Sequence, residues 1–526
     1  MGSLLPISVT TILAGITSAQ WALPLSAESL LDQSIQALGG ASALQAIQGI
    51  SYHHFLYRTQ SLEESKVPGV PDTAVATAGS ETISYDFSGN STDVVQRIDR
   101  NFDIGNFWTW GRAGLDPSDV TLIVRGGDDG YSCYNKGNEH ITLPAAQSFG
   151  YTDETTYRGT GPFKAVHDSS TNIMVVFDPD TSLPYLIRAY EDHSIFGNST
   201  NDFVLLNYTD IQGIMIPRLV QTVYNEDSLL LYTLRDNVTT NPMFPAGFFE
   251  GLPVSQIGGT YSGLPPRAAE MSTEYGTAEV FENNGNLIWY GPSMPSLETL
   301  TVTQPVPGLP NIYHLAFADS FYSHTVGVFD NAVMVTDAAP HQSKVVIQWI
   351  NEVLHRDVTH LLVTHHHHDH NYGAADFVAA GAKLVVPEEF TYYWKNIPGV
   401  KFATVTEDKP FKYKDSNMQI RAIWHREVAH SDDWMYFVWT EACPGEKSVL
   451  VSTVADAWSP GFVGFEFDEA LAVNYLALAR KDHMPYNYTV IPIHGVPTPV
   501  AVLYDLVGYA YPNYTTRDFL PGGPLC

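Results

Sequence analysis

The pattern of apolar and polar positions along the 526-residue chain changes character several times. Residues 3–19 (SLLPISVTTILAGITSA) are apolar without a single charge, and Thr17 and Ala19 suit the small positions before a cleavage site. This predicts a secretory signal over 1–19 with Gln20 as the mature start, despite the missing basic n-region. Residues 27–50 read as two short helices broken at Gly39-Gly40, with Ser26 as N-cap. From Ser51 to about Phe249, short runs rich in Val, Ile, Tyr and Thr alternate with Asp, Asn and Gly turns; TISYDF, NIMVVFDP, FVLLNYTD and LLLYTLRD are examples. That texture predicts an antiparallel β domain over 20–251, with hairpin turns at Asp178-Pro179-Asp180, Gln212-Gly213 and Asn225-Glu226-Asp227.

Residues 252–281 are rich in Gly, Pro and Ser and read as a linker. Beyond it, over 282–526, strands alternate with helices. Strands HTVGVFD and AVMVTD precede the amphipathic segment 343–356, whose Val346, Ile347, Ile350, Val353 and Leu354 fall at helical spacing. Strand HLLVT, helix AADFVAAG and strand KLVVP follow. Such βαβ alternation predicts an α/β layer architecture.

Composition narrows the partners. Lys and Arg number 27 against 57 Asp and Glu, a net charge of −30. A surface that acidic repels phosphate backbones and anionic lipid, so a small-molecule substrate is expected, with no nucleic acid and no stable membrane anchor. Six Asn-x-Ser/Thr triplets, at Asn90, Asn198, Asn207, Asn237, Asn487 and Asn513, join the apolar leader in predicting a secreted, N-glycosylated protein. Cys133, Cys443 and Cys526 allow one disulfide, and their pairing is left open.

The chemistry concentrates in Thr364-His365-His366-His367-His368-Asp369-His370, which follows the apolar run Leu361-Leu362-Val363 and precedes a helix. A strand end feeding a helix is where α/β folds build sites. His365 and His367, two apart on an extended segment, point the same way, and Asp369 and His370 then turn toward a second point. Imidazole and carboxylate suit Zn²⁺, with Mn²⁺ or Fe as alternatives. His366 and His368 are filler positions, expected beside the ligands or in solvent.

His365-x-His367-x-Asp369-His370 resembles the HxHxDH motif of the metallo-β-lactamase superfamily, and most closely the motif of its glyoxalase II-like binuclear branch. The resemblance implies an αββα sandwich over the C-terminal domain, two divalent ions and further ligands in order downstream. His430 matches the third histidine of the first site, Asp456 the bridging aspartate and His494 the last histidine of the second site. Asp337 matches a supporting aspartate, and His341 lies near the site's edge. Where the family usually has a glycine pair, this chain reads Asn371-Tyr372-Gly373. Tyr392, Tyr393 and Trp394 either line a pocket or belong to the core, and Asp482 and His483 read as plain loop residues. The β domain resembles, at pattern level, the half-barrel of lipoprotein carriers.

The resemblance implies that a hydroxide held between the ions attacks a carbonyl or phosphorus, with the other ion or Asp369 assisting the leaving group. Elimination of antibiotics, polyanions and glutathione thioesters leaves an ester or lactone of a small molecule as the expected substrate, a lipophilic one if the β domain offers a groove. Asp456 stands where true β-lactamases carry Cys or Ser, which argues against antibiotic hydrolysis. The competing readings are a mononuclear iron oxidoreductase like the sulfur dioxygenases and a non-enzymatic carrier of apolar ligands.

Overall fold

The computed structural model describes residues 26–60, 62, 65–70, 77–89, 95–104, 120–125, 131–136, 139–144, 164–249, 295–318, 320, 322–462 and 468–526. The expected signal, the linker and the triplet at Asn90 lie outside them.

Helices Ala27–Ala37 and Ala41–Gln45 flank the Gly39-Gly40 break, and the Ser26 side chain accepts from Ser29 N as the N-cap. A twelve-stranded antiparallel sheet follows. Its strands are β1 (Gly49–Thr59), β2 (Thr77–Asp86), β3 (Val95–Ile104), β4 (Val120–Arg125), β5 (Tyr131–Lys136), β6 (Glu139–Pro144), β7 (Lys164–Asp168), β8 (Ile173–Phe177), β9 (Pro184–His193), β10 (Gly197–Ile211), β11 (Ile214–Tyr224) and β12 (Ser228–Thr240). Their order is β6-β5-β4-β3-β2-β1-β12-β11-β10-β9-β8-β7, so β1 and β12 close the middle and each half is a meander. The turns fall where the sequence places them. Gln212 and Gly213 take φ of 55° and 85°, both positive, as a tight two-residue hairpin requires.

The C-terminal region holds two further sheets. The first runs β13 (Leu300–Thr303), β14 (Ile312–Phe317), β15 (Ser323–Val328), β16 (Val333–Thr336), β17 (His360–Leu362), β18 (Lys383–Pro387), β19 (Phe402–Val405), and its last four strands are parallel. The second runs β20 (Phe411–Lys414), β21 (Met418–Trp424), β22 (Met435–Glu441), β23 (Leu450–Val454), β24 (Thr489–Pro492), β25 (Thr498–Pro499), with β23 and β24 parallel.

Alternation along each strand assigns the layers. In β16, Val333 and Val335 pack with Val346, Trp349 and Ile350 of helix Ser343–Val353, while Met334 faces the other way. Met334, Leu362 and Val385 of the first sheet meet Ile420, Phe437 and Trp439 of the second. Tyr436, Val438 and Val454 turn outward onto helices Glu469–Lys481 and Val500–Val507. Helix, sheet, sheet and helix therefore stack in four layers, the αββα sandwich. Both faces of the central strands are covered, which is why they read as continuous apolar runs.

Two segments of the twelve-stranded sheet reach the sandwich. The β9–β10 hairpin places Ile195 in the helix-side core beside Trp394, and Asn396 Nδ2 donates to Phe196 O at 2.9 Å. The β1–β2 connection places Ser65–Val70 against the loops at the strand ends. Cys443 and Cys526 form the disulfide, with Cα atoms 4.8 Å apart. Among the described residues no helix is long and apolar enough to cross a membrane.

Candidate metal centre

All seven candidate ligands lie at one edge of the sandwich, in loops that leave the C-terminal ends of β17, β21, β23 and β24. Thr364–His370 follows β17, His430 lies between β21 and β22, Asp456 follows β23, and His494 follows β24. The backbone is forced at these ends. Asp337 and Asp456 take φ of 54° and 60°, left-handed values costly for a side chain that has no local need of them. Gly495, with φ 114°, follows His494, and a Cβ there would sit 2.3 Å from Pro460 O. No other residue fits that position without moving the loop.

The donors form three interlocked groups: His365, His367 and His430; His365, His370 and Asp456; and Asp369, His370 and His494. Within each group the ligand atoms lie within 4.8 Å of one another. Asp456 sits at the centre. Its Oδ2 is 3.0 Å from His370 Nε2 and 3.4 Å from both His365 Nε2 and His430 Nε2, and its Oδ1 is 3.1 Å from His494 Nε2. Asp369 Oδ2 lies 3.3 Å from His370 Nε2 and 3.6 Å from His494 Nε2.

The outer nitrogens explain the inner ones. Thr364 Oγ1 donates to Asp337 Oδ2 at 2.7 Å, so it accepts from His365 Nδ1 at 3.1 Å. His370 Nδ1 donates to the same Asp337 oxygen at 2.8 Å. His367 Nε2 donates to Ser65 O at 3.1 Å. Each imidazole thus spends its outward N–H on an acceptor and turns its other nitrogen inward, the arrangement that orients metal-binding histidines. Two pairs of inward nitrogens stand face to face, His365 with His430 at 3.1 Å and His370 with His494 at 3.2 Å. Imidazole nitrogens crowded this closely around the Asp456 and Asp369 carboxylates are the ligand types that divalent ions take, so the donor set fits them.

Electrostatics agree. Burial, reinforced by neighbouring imidazoles, holds His365 and His367 well below the ordinary histidine pKa, leaving them neutral as ligands must be. Burial pushes His370 the same way, but Asp369, Asp456 and Asp337 outweigh it and hold it well above. Burial would raise Asp456, yet His370, His430 and His494 hold it well below the usual carboxylate range. The cluster as a whole favours positive charge at its centre.

The remaining positions sort themselves. His366 is fully buried, and its Nδ1 lies 2.8 Å from Asp433 Oδ1, with Ser431 Oγ donating to the same oxygen. This ties the His430 loop to the histidine segment. His368 is buried too, with its ring 4.3 Å from that of Tyr372, so neither filler histidine reaches solvent. Tyr393 and Trp394 are core, and Tyr392 is half-exposed. His341 packs on Tyr372 at 5.9 Å and is not among the converging donors. Asp482 is more than a loop residue, because it is buried and accepts from Tyr436 and, at 2.7 Å, pairs with His425. Asn371, the first residue where the sequence departs from the family's glycine pair, donates to His366 O and His367 O and closes the histidine loop. Gly373 keeps the close approach the loop needs, since a Cβ there would meet Ser343 Oγ at 2.6 Å.

The sequence profile described as the metallo-beta-lactamase superfamily matches residues 323–436. Among solved structures, the chain is similar to the B3 enzyme BJP-1 of Bradyrhizobium japonicum, with 20% identity over 39% of this chain and 90% of that one and a TM-score of 0.29. It is similar to a metallo-β-lactamase from Pontibacter korlensis, at 15% identity over 40% and 97% with a TM-score of 0.30. Another, from Hirschia baltica, shares 13% over 40% and 96% with a TM-score of 0.29. No curated protein matches the chain.

Proposed function

Through residues 323–436 the chain belongs to the metallo-β-lactamase superfamily, and from that premise we propose a secreted, binuclear metal-dependent hydrolase that cleaves an ester or lactone of a small molecule with an apolar portion. Metal-dependent hydrolysis follows from the family and the donor set; the count of two ions, the bond class and secretion are our reading.

One observation carries it: three histidines have their outer N–H groups fixed by acceptors, and seven donors converge inward in three interlocked groups. His365, His367 and His430 would hold one ion, Asp369, His370 and His494 the other, with Asp456 between them. When bound, such ions polarise a carbonyl oxygen and bring the pKa of water down to about 7. The protein's own part is positioning and proton movement. Asp369, buried within the cluster, would take the proton released by the attacking water and pass it to the departing oxygen. Tyr322 and Phe462 pack on the His494 ring at 4.8 and 5.9 Å and keep water from that side.

Several features support the finer choices. The net charge of −30 disfavours polyanionic substrates. Phe462 and the exposed Val496 give the His494 side an apolar margin. Asn198, Asn207, Asn237, Asn487 and Asn513, the five described triplet asparagines, are all exposed, as glycan acceptors must be.

The test is a rate panel of aryl esters, lactones, thioesters and phosphodiesters on the secreted protein, with and without chelator, beside Asp456→Asn. Chelator-sensitive turnover of esters or lactones, falling about 100-fold or more in the variant, is expected. Chelator-resistant turnover, or a single iron per chain, would overturn the reading.

A further inference from the structure

The N-terminal domain contributes to the metal centre, through three backbone carbonyls in the connection between β1 and β2. Ser65 O accepts from His367 Nε2 at 3.1 Å. Lys66 O accepts from Asp432 N at 2.9 Å and lies 3.5 Å from Ser431 Oγ. Pro68 O accepts from Tyr392 Oη at 2.8 Å. Within four residues this strap touches the histidine segment, the His430 loop and the helix Thr391–Trp394. It is itself held in shape, because Ser65 is fully buried and its hydroxyl lies 2.6 Å from Val67 O and 3.1 Å from Leu62 O.

The contact to His367 has a chemical consequence. A carbonyl oxygen only accepts, so His367 Nε2 must carry the proton and Nδ1 must carry the lone pair. His365 and His370 receive the same instruction from Thr364 and Asp337, both inside the sandwich. His367 receives it from a residue 302 positions away in the other domain. The contacts from Lys66 O fall beside His430, another ligand of the same group.

We propose that the Ser65–Val70 strap is a built part of the first metal site, setting the His367 tautomer and pinning the His430 loop. The first ion's affinity then depends on the N-terminal domain, while that of the second, held by Asp369, His370 and His494, does not. Ser65 is a positioning residue and not a catalytic one. The inference rests on the two-ion reading above.

Ser65→Ala in the full-length protein removes the hydroxyl that shapes the strap. Asp432→Ala, which removes the ion pair from Asp432 Oδ1 to Lys66 Nζ at 3.6 Å, combined with Tyr392→Phe, which removes the hydroxyl that donates to Pro68 O, loosens it from the sandwich side and leaves the N-terminal domain untouched. Zinc is titrated into metal-free protein against a chromophoric chelator, and the histidine tautomers of the metal-free protein are read from long-range ¹H–¹⁵N spectra. The wild type is expected to bind two ions and to show His367 as the Nε2–H tautomer. In Ser65→Ala one affinity falls about 10- to 100-fold, the range seen when ligand-orienting partners are removed, and the other holds. The double variant shows the same selective loss at smaller size, and in both variants the His367 signal moves toward a tautomer mixture. Both affinities unchanged within twofold in both variants, or equal losses at both sites, would overturn the proposal. A wild type that binds no zinc would instead defeat the two-ion reading.

Discussion

Two of the buried clusters of histidine, carboxylate and their partners among the described residues follow opposite plans. In the twelve-stranded sheet, Arg235 Nε donates to His54 Nε2 at 2.8 Å, His54 Nδ1 meets Glu81 Oε1 at 2.5 Å, and Arg100 Nε donates to Glu81 Oε2 at 2.7 Å. The four residues come from β12, β1, β2 and β3, and none of them leaves a buried side-chain nitrogen or oxygen without a partner. Arg235 and Arg100 also lie over the rings of Tyr52 and Tyr57 at 4.2 and 4.4 Å. The cluster is complete as it stands. At the strand ends of the sandwich, by contrast, the outer nitrogens have fixed acceptors while the inner groups crowd one another and Asp456 Oδ2 is left without a hydrogen bond. Inside, nitrogen faces nitrogen around Asp456. Burial of histidine and acid is common to both clusters, so burial alone does not identify a site. What separates them is whether the protein satisfies its own donors and acceptors.

The largest expected effect breaks the closed cluster. Glu81→Gln leaves Arg100 buried without its counter-charge, and removing one member of a buried pair costs about 3–5 kcal/mol. Denaturant unfolding should show that loss, while zinc content and turnover per folded molecule stay as in the wild type. Loss of metal from this variant would mean that the two clusters are not independent.

Acid should probe the same cluster more gently. Burial would raise the Glu81 pKa, but Arg100 and His54 outweigh it and bring it from about 4.5 to about 2. A depressed carboxylate stabilises the fold above its unfolded pKa and loses that contribution as pH falls through the folded value. Stability is therefore expected to be full above about pH 4.5 and to decline toward pH 2. The loss should be roughly 3 kcal/mol, since each tenfold change in proton affinity is worth about 1.4 kcal/mol. Unfolding followed between pH 5 and 2 would check this, and the slope should flatten in Glu81→Gln.

How far each cluster could be read from the sequence follows from the same contrast. The candidate ligands lie in loops that follow apolar strands covered on both faces, so runs such as Leu361-Leu362-Val363 point toward them. The sheet's hairpin turns were legible because backbone chemistry marks them, as at Gln212-Gly213. The closed cluster left no trace. His54, Glu81, Arg100 and Arg235 are joined across strands, up to 181 positions apart, and each reads alone as a solvated polar residue. The same holds for Asp433 beside His366, 67 positions away, and for Ser65 beside His367. Motifs carry the candidate ligands. The groups that hold those side chains in place are set by tertiary contact, and the choice of Cys443 for Cys526 over Cys133 belongs with them.

The smallest effect sharpens the open cluster. Thr364→Val keeps the shape of the side chain but removes the hydroxyl that donates to Asp337 and accepts from His365 Nδ1. His365 then loses the partner that fixes its outward proton. His370 keeps its own bond to Asp337, and the backbone N of Thr364 still donates to Asp337 Oδ1 at 2.6 Å, so the loop keeps its course. Zinc affinity at the His365 site should fall about 10-fold, the lower end for a ligand-orienting partner, with little change at the His370 site. The sheet cluster predicts the opposite order: removing a partner there costs stability first and function hardly at all. Measuring affinity and unfolding free energy on Thr364→Val and Glu81→Gln together therefore tests the comparison itself. If both variants lose stability and neither loses zinc, the nitrogens at the strand ends are held together by the fold and not arranged for an ion.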